Sequence, residues 1–126
     1  MSVEEWENTK EYFIAYSIMI NAAQHRGLAT YQEIAQAVGL PTAGSFMAGR
    51  IGGLIGAISR NEVRLNRPML STIVVGVNGK PGEGFYNWAR DLGVLKAGED
   101  ESAFWKNERK KIYKEWKVRY RISKTK

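Results

Sequence analysis

The segment Glu108-Arg109-Lys110 has the Glu-x-Lys spacing of one half of a metal-dependent nuclease site, with Asp91 or Asp100 available upstream as a second carboxylate. Such a site needs the carboxylate and the amine on one side of a strand. The surrounding residues have helical periodicity, and on a helix the same spacing turns the two side chains about 200° apart. Glu99-Asp100-Glu101 is a second acidic cluster, but consecutive carboxylates ahead of a helix serve its positive end better than they ligate a cation. Ser71 and Thr72 are hydroxyl nucleophiles with no neighbouring histidine or lysine to activate them. The chain has no cysteine and one histidine, which excludes disulfides, thiol nucleophiles, iron–sulfur clusters and multi-histidine metal sites. The expectation is a non-enzymatic protein with no metal and no cofactor.

What remains is charge. Nineteen basic residues against thirteen acidic give +6 over 126 residues, and their distribution is uneven. Residues 1–25 carry −3, residues 26–90 carry +4, residues 91–102 carry −3, and the last 24 residues carry +8. Two basic regions separated by an acidic one are candidate phosphate-facing surfaces. The candidate contacts are Ser45, Arg50, Arg60, Asn61, Arg64 and Lys80 in the middle, and Lys106, Arg109, Lys110, Lys114 and Lys117 in the tail.

These residues need elements to hold them. Ser2 and Glu5 have the form of a capping box, and Trp6, Phe13, Tyr16, Ile20 and Ala23 then follow at helical spacing up to Gly27, predicting one long first helix. His25 falls in its last turn, where an imidazolium suits the negative helix end. Thr30 and Glu33 form a second capping box, with Ala29 and Ile34 as a hydrophobic staple and Gly39 as a left-handed stop. Thr42 or Ser45 can cap a third helix bearing Phe46, Met47, Ile51, Leu54, Ile55 and Ile58. Two helices joined by a tight turn make a helix-turn-helix, whose second helix meets nucleic acid. Gly49, Gly52, Gly53 and Gly56 lie near one face of that helix. Each costs about 1 kcal/mol relative to alanine, so another helix or a nucleic-acid backbone is expected to approach closely.

Beyond Asn61, Val63 and Leu65 alternate with polar residues, and Leu70–Val77 is rich in branched residues with Asn78–Gly79 behind it. This predicts two short strands of a β-wing carrying Lys80. A short helix over Phe85, Trp88, Ala89 and Leu92 stops at Gly93. After an acidic loop, Asp100 or Ser102 caps a last helix striped with Trp105, Ile112, Trp116 and Tyr120.

The run Thr30-Tyr-Gln-Glu-Ile-Ala-Gln-Ala-Val-Gly39, the pair Gly52–Gly53 with Arg60–Asn61, and a strand leading to a glycine-rich turn ending Gly84-Phe85-Tyr86 resemble the winged-helix DNA-binding domain of alkylguanine DNA alkyltransferases and their cysteine-less alkyltransferase-like relatives. The resemblance covers residues 28–86, about half the chain. It implies that the helix with the paired glycines enters the minor groove and that an arginine at its start intrudes into the base stack. The family's Pro-Cys-His-Arg acceptor segment has no counterpart in Met69–Val75, so alkyl transfer is excluded. Arg50 stands two residues before Gly52 where the family has three.

The expected architecture is therefore mainly α with a small β-wing, a winged helix-turn-helix with extra N- and C-terminal helices. It forms one domain over 1–126, made of an N-terminal helix (1–27), a winged-helix core (28–93) and a basic C-terminal helix (94–126). No apolar run approaches the ~20 residues that span a bilayer, and the acidic start is unlike a signal peptide, so a cytoplasmic protein is expected. The expected partner is duplex DNA. The competing reading is a protein-interaction module or homodimer that docks through its apolar terminal helices, and burial of the tail aromatics would separate the two.

Overall fold

The computed structural model describes residues 3–42 and 44–118, with residues 3 and 44–48 described by backbone alone. The chain is mainly helical, with one two-stranded parallel sheet among the described residues.

The first helix is two helices. α1 (Val3–Trp6) ends at Asn8, which adopts φ 65°, and Thr9 then caps α2 (Lys10–Gln24) by accepting the Tyr12 N–H at 3.1 Å. Ser2, the expected cap, lies outside the described residues. α2 buries Tyr12, Ala15, Met19 and Ala23 along one stripe. It ends at His25, whose Nδ1–H donates to the Asn21 carbonyl at 2.8 Å.

β1 (Ala29–Thr30) leads directly into α3 (Tyr31–Val38). Here the sequence signals operate as expected: Thr30 Oγ1 accepts the Glu33 N–H, Glu33 Oε1 accepts the Thr30 N–H, both at 3.0 Å, and Gly39 closes the helix at φ 79°.

α4 (Gly44–Arg64) is longer than expected and absorbs the first predicted strand. Val63 and Arg64 are helical, and Leu65 is 59% exposed, so the apolar alternation there was not a strand with one buried face. Helical phase instead places Glu62 in the interior, 1% exposed, where Arg67 and Tyr16 meet it. The second predicted strand is mostly a buried 3₁₀ helix (Leu70–Ile73). It leaves only β2 (Val74–Val75), paired parallel with β1 so that Ala29 faces Val74 and Thr30 faces Val75. In place of an antiparallel wing, Gly76–Lys80 closes a tight turn, with Gly76 N–H donating to the Lys80 carbonyl at 2.9 Å.

α5 (Glu83–Asp91) and α6 (Glu101–Glu115) complete the chain, α6 being capped by Asp100, which accepts the Ala103 N–H at 2.8 Å. The larger core joins α2, α3 and α4 to Ile112 of α6. A smaller one, with Met69, Phe85, Ala89, Leu95 and Phe104, packs α5 against α6.

Candidate nucleic-acid interface and its pocket

Between these two cores lies a pocket of about 430 Å³. Its floor is α4, at Gly52, Ile55 and Gly56. One wall is the start of α5, from Gly82 to Phe85, with Trp88 behind it; Tyr31 and Ser71 close the other sides.

Each wall is fixed by a bond that the sequence makes available. The Trp88 indole N–H donates to the Gly56 carbonyl at 3.0 Å. A Cβ at Gly56 would meet that ring at 3.4 Å, so this glycine permits α5 to lie against α4. Tyr31 is placed by the α3 capping box, and its hydroxyl accepts the Gly82 N–H at 3.2 Å. A Cβ on Gly82 would lie 3.4 Å from that hydroxyl. Ser71, 6% exposed, is tied to α4 twice: Ser59 Oγ accepts its N–H at 2.9 Å and donates to its Oγ at 2.7 Å.

The pocket's chemistry follows from these bonds. Its surface is mainly carbon and aromatic. The Tyr31 and Ser71 hydroxyls accept hydrogen bonds from within the fold, so each keeps its own proton to donate. α5 has no side-chain cap at Gly82, which leaves first-turn N–H groups at the pocket edge for an acceptor. Glu83, an exposed residue of the lining, brings an acidic group of the opposite polarity to this wall. Such a space suits a flat heterocycle with both donors and acceptors. Burial pushes the Tyr31 hydroxyl pKa up, and the Gly82 N–H opposes it, so the group is a proton donor at neutral pH. Ser71 has a serine as its side-chain partner, with no imidazole or amine.

Gly49 and Gly52 stand apart from Gly56. A Cβ at either would meet nothing within 4 Å among the described residues, so no described contact accounts for them.

The predicted contact residues divide sharply. Arg60 Nη1 pairs with Glu4 at 2.8 Å, and Nη2 pairs with Glu7. Asn61 donates to the Tyr12 hydroxyl at 2.9 Å. The Arg50 guanidinium lies over the Trp6 ring, 5.6 Å from its centroid. These three thus serve contacts of α4 with α1 and α2. Arg64 and Lys80 are exposed, at the end of α4 and on the tight turn. The Ser45 side chain, with those of Phe46 and Met47, lies outside the described residues, as does Tyr120. On α6, Lys106, Lys110 and Lys114 are exposed at intervals of four, with Lys117 just beyond the helix. Arg109 stacks on Trp105 at 4.4 Å, and the Trp105 indole donates to the Thr72 carbonyl at 2.8 Å.

No protein-family model, curated protein or solved structure matches the chain.

Among the described residues there is no cluster of three or more metal-ligating side chains, and no helix is long and apolar enough to cross a membrane. Sequence reasoning missed the pocket. Its strongest signal was glycine density in α4, read as a contact face rather than as the floor of a cavity. Tyr31, Gly82, Glu83 and Trp88 carried no motif that would single them out.

Proposed function

We propose that this protein is a non-enzymatic nucleic-acid-binding module of helix-turn-helix type, with a tight turn where a winged helix would carry its wing, that binds duplex DNA and receives one unstacked base in the pocket on α4. The observation that carries the reading is the pocket itself, floored by glycine and walled by tyrosine and tryptophan. Glycine at Gly52 lowers the helix propensity of α4 by about 1 kcal/mol with no close contact among the described residues, which is explained if a ligand must approach the helix backbone. A base outside the stack needs an aromatic slot and hydrogen-bonding partners for its edge, and this pocket offers both.

The element order adds support. α3 and α4 with the turn between them have the helix-turn-helix sequence of elements, and β1 joins β2 beside them. The exposed lysines of α6 and Arg64 supply sequence-independent affinity for phosphates. Trp105 and Trp116 are half-buried against the domain, which supports the nucleic-acid reading over docking through an exposed tail patch.

The test is fluorescence anisotropy with labelled duplex DNA, the matched single strand and RNA over a range of salt, together with a duplex carrying 2-aminopurine at a mismatch. The expected result is preference for duplex, a linear fall of log K with log salt, and increased 2-aminopurine emission on binding. Absence of binding to all three nucleic acids at low salt would overturn the reading.

A further inference from the structure

α4 presents Gly49, Gly53, Gly56 and Arg60 at intervals of four, three and four, which puts them on one face of the helix within about 60°. Arg60 is therefore the charged end of the glycine-bearing face. Its guanidinium carries two carboxylates from the N-terminal segment, Glu4 and Glu7. The two carboxylates occupy both terminal nitrogens of the guanidinium, which leaves neither facing an approaching phosphate.

The two carboxylates are not placed as a buried structural pair would be. The Glu4 side chain is 70% exposed and that of Glu7 28% exposed, whereas the Arg60 side chain is 12% exposed. Trp6 between them is 2% exposed and anchors α1 to the core. Displacing α1 would uncover that indole at a cost of a few kcal/mol, whereas the Glu4–Arg60 pair, with its carboxylate 70% exposed, is worth only about 0–1 kcal/mol. The side chains can thus swing away while the helix stays seated.

We propose that Glu4 and Glu7 form an acidic gate: they occupy Arg60 in place of a phosphate and hold the affinity of the α4 face down until a nucleic-acid backbone takes the guanidinium from them. This regulation rests on the duplex-binding reading given above. A phosphate offers Arg60 the same two-oxygen geometry with a larger local charge, so the exchange requires no rearrangement of the backbone. The gate raises the threshold for weak, non-specific phosphate contacts and spares complexes in which the pocket is also filled.

The test is duplex binding by anisotropy across a salt series with Glu4→Gln, Glu4→Gln/Glu7→Gln and the same double variant combined with Arg60→Gln. Glu4→Gln should tighten binding about threefold at low salt and the double variant about tenfold, with a salt slope steeper by about one. Adding Arg60→Gln should cancel the gain. Glu4→Gln alters a mostly exposed side chain, so it remains readable if the double variant folds poorly. Wild-type binding with no gain in the variants, or a gain that survives Arg60→Gln, overturns the gate and leaves duplex binding standing. Absence of binding in every protein overturns the duplex reading and the gate with it.

Discussion

Trp88 and Gly56 are bound edge to backbone: the indole N–H meets the Gly56 carbonyl at 3.0 Å, and the ring lies 3.4 Å from where a Cβ at that position would stand. Gly52, one helical turn earlier, faces open pocket instead.

The two glycines should therefore respond differently to a methyl group. Gly52→Ala removes a helix-weakening residue without a clash and should raise stability by about 1 kcal/mol in urea denaturation. It should also reduce the 2-aminopurine response, because the methyl enters the pocket floor. Gly56→Ala should gain less, since its methyl would press directly on the Trp88 ring at 3.4 Å and load the bond to the Gly56 carbonyl. A Gly52→Ala protein that is more stable and binds a mismatch duplex unchanged would remove the pocket from the binding mechanism.

Glu62 is a buried carboxylate held by Arg67 Nε at 2.8 Å and by the Tyr16 hydroxyl, which donates at 2.8 Å. Arg67 also covers Trp116, 5.5 Å from the ring centroid, so one residue ties α2, α4 and the end of α6. Arg67→Met would leave the carboxylate buried and short of its charge partner, at a cost of about 3 kcal/mol by denaturant titration. Glu62→Met/Arg67→Met removes the unpaired charge and should recover part of that loss.

Alkaline pH tests the same network. Burial, then the hydrogen bond to the Glu62 carboxylate, pushes the Tyr16 hydroxyl up to about 12 from its ordinary value of 10.0. The folded state therefore retains a proton that the unfolded chain releases. Stability from this group is fully present below pH 10 and falls as pH rises toward 12. Tyr16→Phe should make stability less steeply dependent on pH across that window, as measured by urea midpoints at successive pH values. Tyr12, Tyr31, Tyr86 and Tyr113 are also raised, so a residual slope should remain.

Local signals were legible wherever a side chain bonds its own backbone. The Thr30–Glu33 box and Gly39 could be read from residue types alone because both halves of the motif lie within one turn. The Asn8–Thr9 break was readable by the same logic, since Thr9 precedes Lys10-Glu11 as a cap, but the apolar periodicity running from Trp6 to Phe13 overrode it. Val63–Leu65 misled because two apolar residues around Arg64 mimic a strand. The deciding fact, burial of Glu62 against Arg67 and Tyr16, is tertiary. Likewise the branched residues of Leu70–Val75 reflect burial between two cores rather than a long strand. The pocket was illegible because its walls come from four separate segments joined by Tyr31 to Gly82 and Trp88 to Gly56, pairs 51 and 32 residues apart.

The lysines of α6 carry the last prediction. Lys106, Lys110 and Lys114 repeat every four residues, a rise of about 6 Å per step along one face of the helix. Their ammonium groups are exposed and point away from Phe104, Glu108 and Ile112, which are buried. A regular row of mobile cations meets a phosphate backbone without reading sequence. Each Lys→Gln substitution should therefore weaken binding to unrelated duplexes equally and lower the salt slope by about one, with no change in the 2-aminopurine signal at saturation. Arg109→Gln should behave differently, because its guanidinium stacks on Trp105, which holds Thr72 beside the pocket residue Ser71. Its loss should weaken the base response as well as affinity. Equal behaviour of Arg109 and the three lysines would place Arg109 among the simple phosphate contacts.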